Sequence, residues 1–227
     1  MIAEDLFSIP HNFPFKSYFE GADSPWSWVS QIRKALEASD FVAQIPDSGS
    51  IPPGVVIEGT VFIDPSVVLS PNVVIQGPAY IGAGTEIRPG AFIRGNVIVG
   101  ENCVLGNSSE FKNCLLLNNV QAPHYNYVGD SILGNGAHLA AGVICSNLRL
   151  DQAHVLIKLH SGFVDSGLRK LGALIGDGAE VGCNTVLNPG SVLGKRSVVY
   201  PLMSFDGVLE ADSIAAVKQV MRIIKRR

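Results

Sequence analysis

Apolar residues recur at every sixth position through the middle of the chain. Ten of them follow one another in register without an exception, and a small or branched residue stands two positions before each. These ten positions are Ile57, Ile63, Leu69, Ile75, Ile81, Ile87, Ile93, Val99, Leu105 and Phe111. Helical faces recur at about 3.6 residues and strand faces at about 2, so a period of six belongs to neither element. The pattern therefore indicates a repeat of short units.

A unit of six residues cannot bury its own apolar side chain, so neighbouring units must stack into a continuous core. We expect each unit to supply one short strand and one corner, and three units to make a triangular coil. Successive coils would then pair as parallel strands about 4.8 Å apart. Turn-forming residues such as Gly82-Ala83-Gly84 and Asp64-Pro65 fit the corners. This pattern resembles the hexapeptide-repeat proteins, and the resemblance implies an all-β, left-handed parallel β-helix.

Residues 1–50 do not share the repeat. We expect a helical cap or an oligomer contact there, because the end of a β-helix exposes unpaired strand edges. Ser24-Pro25 fits an N-cap and a first helical position, and the apolar face that follows predicts a helix to about Ala38. That face consists of Val29, Ile32 and Leu36.

The β-helix is expected to fill residues 51–207 and to carry one long loop at about residues 147–173. Residues 208–227 predict a short amphipathic helix with Asp212 or Ser213 as its N-cap. Its last turn is basic, and cations there would complement the helix dipole. The apolar face of this helix would hold Ile214, Val217, Met221 and Ile224.

Composition argues against several classes of function. The net charge is −3, so no overall basic field would attract nucleic acid. The sequence shows no secretion signal and no apolar stretch of the roughly 18 residues that span a membrane. We therefore expect a cytoplasmic protein that binds neither nucleic acid nor membranes. The four cysteines lack CxxC spacing and the five histidines lack zinc spacing, so we predict structural thiols and no metal.

The repeat breaks in two segments that are rich in polar side chains. The next clear inward residue after Phe111 is Leu133, which lies two positions short of four units, so the phase slips between Lys112 and Asp130. Residues 146–173 form the second departure, which we expect to be a loop outside the prism. A repeat that breaks its own rule is where function is expected.

The first irregular segment carries motifs that resemble a known enzyme family. In chain order these are Lys112, His124, Tyr127-Val128-Gly129-Asp130 and Ala141-Gly142. Flanked by Arg94 and Asn147, they resemble the acetyltransferase half of the bifunctional bacterial enzymes that make UDP-N-acetylglucosamine from glucosamine-1-phosphate. The resemblance covers roughly residues 55–205. The uridyltransferase half of that family has no counterpart in this sequence.

The resemblance implies a role for each matched position. His124 matches the base that takes a proton from the sugar amine as the amine attacks acetyl-CoA, and an ordinary imidazole pKa near 6.5 suits that task. Arg94 and Lys112 match the cations that hold the sugar phosphate. Tyr127 and Asn147 match residues that hydrogen-bond the sugar.

Three further positions are implied in the same way. His138 stands where the family has an acceptor-binding asparagine, and Cys183 stands where a serine touches the pantetheine arm of CoA. The backbone amide of Ala141 would polarise the thioester carbonyl. Two differences from the family are Leu148-Arg149-Leu150, which replaces a Tyr-Asp-Gly run, and Pro201, which has no amide to offer to CoA.

Several functional hypotheses follow. The first is a CoA-dependent N-acetyltransferase acting on an amino-sugar phosphate or a nucleotide-linked amino sugar, working as the homotrimer that the resemblance implies. The second is a non-catalytic module that binds sugar phosphates, and the third is a scaffold for a separate nucleotidyltransferase partner.

The sequence leaves two alternatives for Glu110: it is either a group that orients His124 or an exposed carboxylate.

Overall fold

The computed structural model describes residues 1–21, 24–37, 43–218 and 222–226. Three parallel sheets of eight strands each form the sides of a prism. The first sheet contains Val56–Glu58, Val74–Gln76, Phe92–Arg94, Glu110–Lys112, Tyr127–Gly129, Ile144–Cys145, Val186–Leu187 and Ser204–Phe205. The second contains Val61–Ile63, Ala79–Ile81, Val97–Val99, Cys114–Leu116, Ile132–Leu133, Ala173–Ile175, Ser191–Leu193 and Val208–Leu209. The third contains Val68–Leu69, Glu86–Ile87, Val104–Asn107, Gln121–His124, His138–Leu139, Glu180–Val181, Val198–Val199 and Ile214–Ala215.

The chain visits the three sheets in turn, so each strand pairs with the one three strands later. The residues of the six-residue pattern point inward. From Ile75 to Phe111 they are fully buried, while Ile57 and Leu69 near the open end are half-buried. They stack into one core that runs along the prism. The predicted β-helix of hexapeptide repeats is thereby confirmed.

Coil length varies at one edge of the prism. In the first coils each inward residue pairs with one eighteen positions away, as Ile75 does with Ile93. The steps from Phe111 to Leu116 and from Val128 to Leu133 each lack one residue, which places the predicted phase slip at residues 112–113 and 129–130.

Two further irregularities lie at the same edge, where the chain passes from the first sheet to the second. One is the insertion between Asn147 and Leu171, and the other is a shortened step from Phe205 to Leu209. We call this edge the variable edge. The other two edges keep the regular spacing, so the strand ladders stay in register above and below each irregularity.

The N-terminal segment covers the side of the prism rather than its end. It contains the predicted helix, Trp28–Leu36, and the 3-10 turns Ala3–Asp5, Lys16–Tyr18, Pro25–Ser27 and Ser48–Ser50. Its aromatic and aliphatic side chains pack on outward residues of the second sheet, such as Ile98, Leu115 and Ile132. Gln44 pairs with the second sheet at its edge, beside Phe62.

The insertion also packs against the prism instead of standing away from it. It forms an antiparallel hairpin, Leu156–Leu159 with Gly162–Asp165. Val155 and Ile157 are fully buried in the same cluster as the N-terminal segment. This corrects the expectation of a loop thrown out of the prism, because the apolar residues at the start of the hairpin bury themselves on the second sheet.

The prediction of a terminal helix at residues 208–227 is wrong for residues 208–215. Val208–Leu209 and Ile214–Ala215 are strands of a further coil, and Ala215 pairs with Val199. Residues 216–218 and 222–226 contain no helix, while 219–221 and 227 lie outside the described residues. Across the parts of the chain that the structure describes, no helix is long and apolar enough to cross a membrane.

Candidate active site

His124 belongs to a column of residues at the edge between the third and first sheets. The register places Asn107 beside it on one neighbouring coil and Ala141 beside it on the other, with Cys183 one coil further. Backbone hydrogen bonds follow the same column, since the carbonyls of Asn107, His124, Ala141 and Cys183 each accept an amide of the next coil at 2.8–3.0 Å. The predicted base His124 and the position of Ala141 are therefore adjacent, and Cys183 lies further along the same column. We call these residues the histidine column.

The side chain of His124 is exposed and makes no hydrogen bond within the described residues. Its backbone is fixed, because its amide donates to Asn126 Oδ1 at 3.2 Å and Asn126 is only 3% exposed. Asn126 in turn donates to the carbonyl of Ala140 at 2.8 Å. A buried asparagine thus holds the backbone of the histidine column while leaving the imidazole accessible.

Asn107 is a residue of this site that sequence reasoning missed. Its Oδ1 is one of two buried side-chain oxygens or nitrogens without a hydrogen-bond partner in the described structure. An unpaired buried acceptor costs roughly 1–3 kcal/mol. Asparagine is a turn-forming residue, so the sequence could have placed Asn107 at a corner of the prism next to His124. The repeat alone did not show that the side-chain oxygen of Asn107 is buried.

The two cations expected to hold a phosphate lie at the opposite edge of the first sheet, which is the variable edge. Arg94 Nη1 donates to Glu110 Oε1 at 2.5 Å, and this contact raises the pKa of the guanidinium. Glu110 therefore faces Arg94, and no contact with His124 appears among the described residues. Lys112 donates to Asp130 Oδ2 at 3.1 Å.

Asp130 is the centre of a hydrogen-bond network that joins three coils. Its carboxylate accepts from Lys112, from Asn113 Nδ2 at 2.8 Å and from Asn147 Nδ2 at 2.5 Å, and the residue is 4% exposed. Asn113 and Asp130 both adopt left-handed backbone angles, with φ of 47° and 49°. Asparagine and aspartate tolerate this conformation, which is how the two coils turn with one residue fewer.

Tyr127 lies across Gly129 on the outer face of the first sheet. Asn147 Nδ2 donates to the Tyr127 hydroxyl at 3.2 Å, and burial raises the pKa of that phenol. A Cβ on Gly129 would stand 2.6 Å from the hydroxyl and 2.7 Å from Asn147 Nδ2. The glycine of the Tyr-x-Gly-Asp motif therefore gives the tyrosine and the asparagine the room to meet.

The structure joins six of the eight sequence-predicted positions into two groups flanking one sheet face. His124 and Ala141 stand at one side of the first sheet, and the other group stands at the far side. That second group consists of Arg94, Lys112 and Asn147. The Tyr127 hydroxyl reaches it across Gly129, although Tyr127 itself begins its strand near His124. A three-residue strand spans roughly 7–10 Å, which is comparable with a sugar phosphate laid along it.

Two predicted positions fall further away. His138 lies on the outer face of the third sheet between Gln121 and Glu180, at the other end of its strand from the histidine column. Cys183 belongs to the column but is two coils beyond His124, and its thiol is exposed. The other three cysteines are buried, as predicted, and burial raises the pKa of Cys103 and of Cys145 to about 12.

Comparison with known proteins agrees with this fold and motif set. The fold and the site define a hexapeptide-repeat protein of the parallel β-helix class. Residues 75–207 match the family model described as the GMPPB C-terminal domain, and the chain belongs to that family.

Curated relatives confirm the resemblance stated from the motifs. The bifunctional protein GlmU of Methanococcus maripaludis (strain C7) is 42% identical over 217 residues, which cover 96% of this chain and 52% of the relative. A bifunctional sugar-1-phosphate nucleotidylyltransferase/acetyltransferase of Sulfurisphaera tokodaii is 32% identical over 187 residues, covering 82% and 46%. The chain thus spans about half the length of the curated relatives it matches.

Among solved structures, the UDP-N-acetylglucosamine acyltransferase of Francisella novicida matches with a TM-score of 0.30 and 16% identity. The match covers 75% of this chain and 66% of that one.

Proposed function

We propose that this protein is an N-acetyltransferase that moves an acetyl group from acetyl-CoA to an amino sugar carrying a phosphate or a nucleotide. One observation carries the proposal: the accessible imidazole of His124 and the cationic pair Arg94 and Lys112 flank a single sheet face. This arrangement suits an acceptor whose amine and phosphate stand at opposite ends.

The residues of the chain divide the chemistry between them. Neutral His124 accepts a proton from the sugar amine while the new C–N bond forms, and the resulting imidazolium returns that proton to the departing thiolate. Tyr127 and Asn147 hold the sugar through hydroxyl and amide groups, and Lys112 and Arg94 neutralise the phosphate. Asp130 fixes both Lys112 and Asn147, so it positions the two groups without reaching the acceptor.

Acetyl-CoA supplies the activated acetyl group as a thioester. The histidine column offers one group to the thioester carbonyl of acetyl-CoA. This group is the backbone amide of Ala141, which donates to no group within the described residues and lies one coil from His124. Such an amide can stabilise the oxygen that becomes negative during attack.

The homotrimer implied by the family is part of this proposal, and exposed apolar residues such as Ile144 and Val68 on the first and third sheets support it. The cytoplasmic location stays a prediction.

The test follows free thiol release from acetyl-CoA with a panel of amino-sugar phosphates and nucleotide-linked amino sugars. We expect release that depends on the acceptor and that His124→Ala abolishes. The matched control is His11→Ala, since His11 is an exposed histidine outside the site. Turnover that survives in His124→Ala would remove the assignment of the base.

A second function is favoured by one specific observation. Pro201 lies one coil beyond Cys183 in the histidine column and has no amide for CoA. A module that binds sugar phosphates, or a scaffold for a separate nucleotidyltransferase, would keep the network of Asp130 and need no CoA. Calorimetric titration with CoA separates the two, because clear binding contradicts the non-catalytic alternative.

A further inference from the structure

A cavity of about 500 Å³ opens on the variable edge directly beside Asn147. Ser146 and Leu148 line it on either side of that residue, while the side chain of Asn147 faces Tyr127 and Asp130. The insertion forms one wall with Arg149 and Leu156, among others. The cavity therefore continues the candidate active site along the prism axis.

The chemistry of the lining is mixed in a way that suits a nucleotide. Leu148, Leu156 and Pro189 offer apolar surface, which a base plane can cover. Ser146 and Asn188 offer hydrogen-bonding groups on the first-sheet side. Arg149 and Lys158 contribute two cations, which pair with Asp151 and Asp206 in the same lining. The planar guanidinium fork of Arg149 matches phosphate oxygens.

The position of the cavity fits the length of such a ligand. Lys112 and Ser146 stand in the same column of the first sheet, two coils apart, because Lys112 pairs with Gly129 and Ser146 follows Cys145 in the next strand. Two coils correspond to roughly 10 Å. A sugar monophosphate held at Lys112 would leave the cavity empty, whereas a diphosphate extends along the edge and places its nucleoside there.

Resting on the proposed function, we propose that the acceptor is an amino sugar linked to a nucleoside diphosphate, and that this cavity binds the nucleoside half. Arg149 then contacts the phosphate nearer the nucleoside. At rest its Nη2 donates to Asp151 Oδ2 at 2.5 Å, so binding exchanges one carboxylate partner for a phosphate. The insertion is thereby assigned to acceptor specificity.

The experiment uses calorimetry with UDP, GDP and glucosamine-1-phosphate as separate probes and the full chain as the protein. We expect at least one nucleoside diphosphate to bind tenfold or more tightly than glucosamine-1-phosphate. Arg149→Ala should lose at least tenfold of that affinity. Arg196→Ala should lose none, because Arg196 forms a comparable exposed pair with Asp212 at a different place.

A second variant shows whether a loss of binding in Arg149→Ala could come from a changed conformation of the insertion. Leu156→Trp fills the cavity and leaves the pair of Arg149 and Asp151 intact, and it should abolish nucleotide binding while glucosamine-1-phosphate binding persists. Thiol release with glucosamine-1-phosphate and no nucleotide binding would overturn this inference and leave the proposed function standing. Tight nucleotide binding that Leu156→Trp removes, with no thiol release from any acceptor, would support the cavity and overturn the acetyltransferase.

Discussion

Asn107 and His124 are register partners on adjacent coils of the third sheet, and Oδ1 of Asn107 is buried without a hydrogen-bond partner in the described structure. A histidine that takes up a proton gains a second N–H, which needs an acceptor. We expect Asn107 to be a positioning residue that supplies it. Asn107→Leu should lower kcat roughly 10-fold, a part of the roughly 10²–10⁴-fold that a general base contributes. Asn107→Asp, which places a carboxylate beside the imidazole, should move the acidic limb of the pH–rate profile to higher pH.

Ser197 provides the control for Asn107. Its Oγ is the other buried oxygen without a partner among the described residues, and it lies outside the site. Ser197→Ala should leave the pH profile unchanged and stability unchanged or slightly higher, because the variant removes an unsatisfied group. Identical pH profiles for wild type and Asn107→Asp would contradict the role of Asn107.

The network of Asp130 predicts a large effect on stability. Asp130→Ala leaves Lys112, Asn113 and Asn147 without their shared acceptor and places alanine at a left-handed position. We expect the free energy of unfolding to fall by roughly 2–4 kcal/mol. Asp130→Asn keeps a residue suited to this backbone and should cost less. Urea unfolding measures both changes.

Asp212 offers a matched comparison for that experiment. It also has a left-handed backbone, with φ of 56°, and it pairs with Arg196, but both side chains are more than 60% exposed. Asp212→Ala should cost little beyond the backbone effect, because a solvent-exposed ion pair contributes little to stability. Equal losses at the two positions would show that the backbone angle, and not the buried network, decides stability.

Gly129→Ala tests the contact between Tyr127 and Asn147. Because the new methyl group would stand 2.6 Å from the tyrosine hydroxyl, one of the two side chains must move. Both are side-chain ends, so we expect the protein to fold with a loss of about 1–2 kcal/mol and the KM for the acceptor to rise. Gly49→Ala is the control, since nothing lies within 4 Å of its added Cβ. An unchanged acceptor KM in Gly129→Ala would exclude this contact from acceptor binding.

Thiol chemistry tests the histidine column. Cys103, Cys114 and Cys145 are buried and their thiol pKa values are raised, while Cys183 is exposed. The thiolate is the reactive form, so a thiol reagent should modify one cysteine in the native protein and four in urea. Saturating CoA should slow the native reaction, and Cys183→Ser should abolish it. If saturating CoA does not change the rate at which the reagent modifies Cys183, then Cys183 does not contact bound CoA.

The repeat predicted the fold because its signal is local and strictly periodic. Each inward residue, such as Ile75, occupies the same place in its unit, and parallel pairing follows from stacking. The C-terminal coil escaped prediction because the step from Phe205 to Leu209 is shortened, which hides the period and leaves Ile214 and Val217 in an apparently helical spacing.

The sequence predicted candidate residues for the site but not their pairings. The motifs identified His124 and Lys112, yet the sequence offered no means of deciding whether Glu110 faces His124 or Arg94. That choice depends on which side chains neighbouring coils bring together across sixteen to eighteen positions. The hairpin had a usable signal, because two short apolar runs flank Ser161-Gly162, but its docking on the second sheet is a tertiary contact.

The variable edge is the place where the length of the connection between the first and second sheets changes from coil to coil. At the base of the insertion the amide of Leu171 donates to the carbonyl of Asn147 at 3.0 Å, so the two ends of the excursion already meet. Segments of other lengths and compositions can be exchanged between these two residues while the ladders of all three sheets keep their register. Under the proposed function, such an exchange would change the acceptor preference without redesign of the core.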